Sequence, residues 1–96
     1  MKNIEELKKI VASHRTEIEE RYHVKSIAIF GSYARNEQSE ESDVDILVEF
    51  KEPVGLTFIH LADYLEELLG VKVDLLTPAA IKPNRRESVM EEAIYV

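Results

Sequence analysis

Residues Ile29 to Phe50 read IFGSYARNEQSEESDVDILVEF, and the fold turns on how this stretch divides. Its first two residues close the apolar run Lys25–Phe30, KSIAIF, whose β-branched content reads as a buried strand. Gly31-Ser32 ends that run, and Tyr33-Ala34-Arg35 begins a short helical turn. Asn36 to Ser42 is polar throughout and reads as an exposed loop. Asp43 to Phe50 is then a second strand. Its period of two puts Val44, Ile46, Val48 and Phe50 on one face and Asp43, Asp45, Leu47 and Glu49 on the other. Acids inside a strand are costly unless a partner satisfies them. A third acid, Asp74, sits in a later apolar run, VKVDLLT.

Outward from this stretch the chain alternates helix and strand. Residues 3–22 form an amphipathic helix, with Ile4, Leu7, Val11, His14 and Ile18 at spacings of three and four; Asn3 and Glu6 are a capping pair at its start. His14 is placed at the edge of the core. Leu56 to Leu69 is a second long helix, stopped by Gly70. Val71 to Thr77 is the third strand, with Val71, Val73 and Leu75 on one face and Lys72, Asp74 and Leu76 on the other. Pro78 and Pro83 punctuate a loop, Arg85 to Ile94 is a last helix, and Tyr95 is expected to pack. Arg85 and Arg86 are placed on the surface, with contact to a partner or a nucleotide as the lesser alternative.

The order αβαβαβα implies an α+β fold of α/β-like character: one three-stranded mixed sheet flanked by helices. The first two strands have only a turn and loop between them and pair antiparallel. The second and third are separated by a helix, as a parallel crossover requires. That topology brings Gly31-Ser32 to the start of the second strand and sets Asp74 beside Asp45.

Composition narrows the function. Ninety-six residues make one domain, 1–96, with a single core. With no cysteine, disulfides, thiolate metal sites and a cysteine nucleophile are excluded. The net charge of −7, from 12 basic and 19 acidic residues, argues against direct DNA or RNA binding. No apolar stretch approaches the length of a membrane span, and MKNIEELKK lacks the apolar run of a signal peptide, so a cytoplasmic location is expected.

The three carboxylates point to metal and phosphate chemistry. Two charges of like sign about 4 Å apart repel by roughly 4 kcal/mol at an effective dielectric near 20, so such a cluster is not kept for stability. Magnesium relieves it, because Mg²⁺ takes oxygen ligands and is commonly shared between carboxylates and substrate phosphates. Two ions are expected, with Asp43 and Asp45 on the nucleotide-side metal. Asp74 completes the second site or serves as base toward the acceptor hydroxyl. Gly31 lets the backbone approach phosphate oxygens, Ser32 adds a hydroxyl donor, and Arg35 either reaches a phosphate or pairs with an acidic neighbour.

Gly-Ser followed at this distance by Asp-x-Asp, with a later strand aspartate, resembles the signature of the polymerase-β-like nucleotidyltransferase superfamily. The segments GSYAR, SDVDILVEF and GVKVDLLTP and the closing EEAIYV are similar to its smallest branch, the minimal nucleotidyltransferases. The resemblance carries the signature onto Gly31, Ser32, Asp43, Asp45 and Asp74 and implies the nucleotidyltransferase fold. One departure is Asn36, where these proteins usually have glycine; asparagine is the next-best residue for a left-handed backbone, so the loop is expected to survive. The family implies transfer of AMP from ATP with release of pyrophosphate. A chain this short lacks the acceptor-binding helical domain of larger members, so the acceptor is expected on another subunit. The resemblance implies a HEPN-type toxin as that partner, adenylylated on tyrosine and silenced by this chain as antitoxin. Two other readings stand beside it. One is a non-catalytic module that occludes its partner; it needs no carboxylate triad and predicts protection by an inactive variant. The other is a subunit that modifies a small, aminoglycoside-like acceptor; it predicts labelled product with no protein partner.

Overall fold

The computed structural model describes residues 2–96. Two short helices, α1 (Ile4–Ser13) and α2 (Arg15–Arg21), lead into β1 (Val24–Phe30) and the one-turn helix α3 (Gly31–Ala34). After the polar loop come β2 (Val44–Phe50), α4 (Thr57–Leu69) and β3 (Val73–Leu76). A 3-10 turn (Pro78–Ala80), α5 (Pro83–Glu92) and β4 (Ile94–Tyr95) complete the chain. The sheet order is β3-β2-β1-β4. β1 and β2 are antiparallel and β2 and β3 parallel, as the connection lengths require.

The helix expected over residues 3–22 is broken at Ser13-His14. The Ser13 hydroxyl donates to the Lys9 carbonyl at 2.7 Å, and His14 Nδ1 lies 2.9 Å from the Ile10 carbonyl oxygen. Such side-chain bonds compete with the helical ladder, and His14 leaves helical geometry at φ −112°, ψ 15°. The Ile18 N–H still reaches the His14 carbonyl at 3.0 Å. The apolar stripe therefore continues across the break and Leu7, Val11 and Ile18 are all buried. At the start of α1, Asn3 Oδ1 accepts from the Glu6 N–H at 3.0 Å, the cap expected of that pair.

The sheet has four strands where three were expected. Ile94 and Tyr95 pair antiparallel with Ile29 and Ala28, and the Val96 N–H donates to the Ile27 carbonyl at 3.0 Å. A two-residue strand has no alternation to read, and the last helix, expected to run through Ile94, ends at Glu92. Tyr95 keeps its side chain 48% exposed instead of packing.

The strand faces divide as the period of two requires. Ile27, Ile29, Val44, Ile46, Val48 and Leu75 pack against Leu7, Val11, Ile18, Leu61, Leu65 and Leu69 from α1, α2 and α4. Each fully buried Leu, Ile or Val contributes about 1.5–3 kcal/mol, and this layer supplies most of them. The opposite face is thinner: Ala28, Phe30 and Leu47 meet only Ile81, Val89 and their half-buried neighbours. Gly70, left-handed at φ 70°, ends α4, and Glu66 of α4 accepts from the Val73 N–H at 3.0 Å, setting where β3 starts.

Candidate active site

The thin face of the sheet opens into a cleft of about 330 Å³, bounded by β1, β2, β3 and α5. Its floor is built by register. Phe30 pairs with Asp45 across the antiparallel ladder, and Asp45 pairs with Asp74 across the parallel one. The two aspartates are thus direct neighbours on adjacent strands, as the expected topology required. Asp43 stands at the β2 entrance. The Ser39–Ser42 turn, with the Ser39 N–H donating to Ser42 Oγ at 2.9 Å, delivers the chain there. The Val44 N–H then hydrogen-bonds the Lys72 carbonyl at 2.9 Å.

Gly31 sits where β1 becomes α3. Its φ of +75° is a left-handed value that favours glycine. Space makes a second demand, because a Cβ at this position would collide with the carboxylate of Asp45. A side chain at residue 31 would therefore occupy the volume that Asp45 uses. Ser32, the next residue, is half-buried in the same turn. The loop leaves α3 through Asn36 at φ 58°, the left-handed backbone that asparagine tolerates next best after glycine.

The acids repel one another. Burial pushes Asp45 up to about 6, and the charges of Asp74 and Asp43 push in the same direction; Arg35 opposes them, and Glu92 adds a smaller push upward. Asp43 and Asp74 are exposed. Among the described residues no three acidic or imidazole side chains converge at metal-ligating distance. The donor set nevertheless suits a hard divalent cation: it is all carboxylate oxygen, on adjacent strands, and carries a repulsion that a cation relieves.

Arg35 is paired with acidic neighbours in this structure. Its Nε donates to Glu37 at 2.9 Å, and Nη1 to both oxygens of Glu92 at 3.1 and 3.0 Å. Hydrogen bonds to Glu37 and then Glu92 raise the guanidinium pKa further. Glu92 also accepts from the Gly31 N–H at 2.7 Å, so one carboxylate engages the backbone donor and the cation that a phosphate would meet.

Sequence reasoning missed Glu92 and Lys82, which line the same cleft. Arg85, expected at the surface, is solvent-exposed and also lines this opening. α5 gives little signal because Val89 is its only buried residue. Arg86 turns away to the Ile81 carbonyl at 3.2 Å. His14, His23 and His60 lie outside the cleft.

The sequence profile described as nucleotidyltransferase domain matches residues 11–96. Protein adenylyltransferase MntA of Thermococcus cleftensis is 46% identical over 97 residues, covering 100% of this chain and 98% of that protein. The solved structure of a candidate minimal nucleotidyltransferase superposes with a TM-score of 0.75 at 37% identity, covering 92% of this chain and 93% of that one. A toxin–antitoxin crystal structure with AMP-PNP superposes with a TM-score of 0.70 at 26% identity, covering 93% of this chain and 70% of that one. No described helix is long and apolar enough to cross a membrane.

Proposed function

The chain belongs to the nucleotidyltransferase domain family, and on that premise we propose that it is a magnesium-dependent protein adenylyltransferase that moves AMP from ATP to a tyrosine hydroxyl of a HEPN-type toxin, acting as its antitoxin. The observation that carries the reading is the register pairing of Asp45 with Asp74 beside Gly31, a glycine required both by its φ and by the space Asp45 occupies. The name of the Thermococcus cleftensis relative supports the adenylyl group. The nucleotide analogue in the toxin–antitoxin structure supports the setting.

The residues divide the work as follows. Gly31, Ser32 and Arg35 receive the phosphates, through a backbone N–H, a hydroxyl and a guanidinium. Asp43, Asp45 and Asp74 are the residues that would hold Mg²⁺, as one or two ions. The metal supplies charge neutralisation at the phosphates and a lowered pKa for the acceptor hydroxyl. The acceptor oxygen bonds to the α-phosphorus, the bond from that phosphorus to the bridging oxygen breaks, and pyrophosphate leaves. Asp74, exposed on the cleft rim, would either complete the second metal site or act as base toward the acceptor hydroxyl. The acceptor comes from the partner, and the open cleft leaves room for it.

The test incubates the chain with its HEPN partner, Mg²⁺ and ATP labelled at the α- or the γ-phosphate, with Asp43→Asn in parallel. Protein-bound label from the α position alone is expected, with a loss of at least about 100-fold in the variant. Label that persists in Asp43→Asn would refute the assignment. A stable complex without label would favour partner occlusion, and a labelled small product without partner would favour a small-molecule acceptor.

A further inference from the structure

Two of the cleft's anion donors, the Gly31 N–H and the Arg35 guanidinium, are already engaged. Glu92 Oε1 lies 2.7 Å from the Gly31 nitrogen and 3.1 Å from Arg35 Nη1, and Oε2 lies 3.0 Å from the same Nη1. The contact joins residues 61 positions apart in sequence. A phosphate oxygen seeking these donors finds a carboxylate already on them.

We propose that Glu92 is a resident competitor for the phosphate donors, so that nucleotide binds only by displacing it. The proposal rests on the nucleotide-binding reading above and adds its regulation. Two features make displacement feasible. Glu92 is the last residue of α5, a helix held to the sheet by a single buried side chain, Val89. The Glu92 side chain is 25% exposed, so the carboxylate can swing to solvent while the backbone stays anchored by β4 from Ile94. Glu92 further adds negative charge to a cleft that already holds Asp45 and Asp74. Its departure therefore relieves repulsion as the triphosphate takes over Arg35. An alternative role, bracing the left-handed Gly31 turn, predicts the opposite sign: removal of the brace weakens nucleotide binding.

The test is calorimetric titration of Mg-ATP into the full chain, as wild type, Glu92→Gln and Glu92→Ala, with fold checked by circular dichroism. Competition predicts binding tighter by about tenfold in Glu92→Gln, equivalent to about 1.4 kcal/mol, and no weaker in Glu92→Ala. The Gly31 amide resonance reports the contact itself, and in wild type Mg-ATP moves it away from its carboxylate-bonded position. Equal or weaker binding in both variants, or loss of their fold, makes Glu92 a brace and overturns the proposal while wild-type binding leaves the nucleotide reading standing. No binding by any folded form contradicts both.

Discussion

The sheet's two faces draw on the same strands, residue by alternate residue, and are built to opposite ends. On one, Ile27, Ile29, Val44, Ile46 and Val48 are sealed by three helices. On the other, Ala28, Phe30 and Leu47 have only Ile81, Val89 and a few half-buried neighbours over them, and the cover gives out where Asp45 and Asp74 stand side by side. The difference teaches how 96 residues hold both a core and a cluster of like charges. Packing is concentrated where no chemistry is needed, and its surplus tolerates the repulsion opposite. Small domains have total stabilities of about 5–15 kcal/mol, so that division is demanding.

Substitutions on each face should separate the two roles. Leu65 is fully buried on the helix side. Leu65→Ala should cost about 2–5 kcal/mol, read by urea denaturation, while the fraction still folded keeps its transfer rate. A rate loss larger than the loss of folded protein would show that the faces are coupled. Gly31→Ala strikes the seam between them. It forces a side chain into a left-handed backbone and against Asp45; a cost of about 1–3 kcal/mol is expected, together with loss of transfer. Retained transfer would mean that Asp45 need not occupy that position.

How much of this was legible in the sequence follows the same division. The helix-side face was readable because apolar residues recur at two strand positions and at helical spacings, with nothing else competing for them. The pairing of Asp45 with Asp74 followed from the connecting helix, which makes β2 and β3 parallel, and from each aspartate's place in its strand. The break at Ser13-His14 was not legible, because it is decided by side-chain bonds to Lys9 and Ile10 inside an otherwise continuous stripe. β4 was too short to carry a period, and Glu92 reaches Gly31 across 61 residues, a pairing no local pattern encodes. Asn36 sits between these cases: its left-handed φ of 58° was anticipated only from the glycine that similar proteins carry at this position. The smallest effect is expected there. Asn36→Gly should change stability by less than about 0.5 kcal/mol, and a larger loss would show that the asparagine side chain does more than tolerate the turn.

Asp45 tests the division most directly. Its folded pKa of about 6 lies above the ordinary 3.8, so the folded protein binds this proton more tightly than the unfolded chain does. The penalty is absent below about pH 4, grows through the interval, and is complete above about pH 6, at on the order of 2 kcal/mol once solvent screening is allowed for. The decisive measurement is therefore the thermal melt of Asp45→Asn against wild type, without divalent cation, at pH 7.5 and pH 4, alongside the transfer assay. The account predicts a melting temperature raised by about 5–15 °C at pH 7.5, a gap that closes at pH 4, and no transfer. A variant that is no more stable than wild type at pH 7.5, or that still transfers AMP, would contradict it.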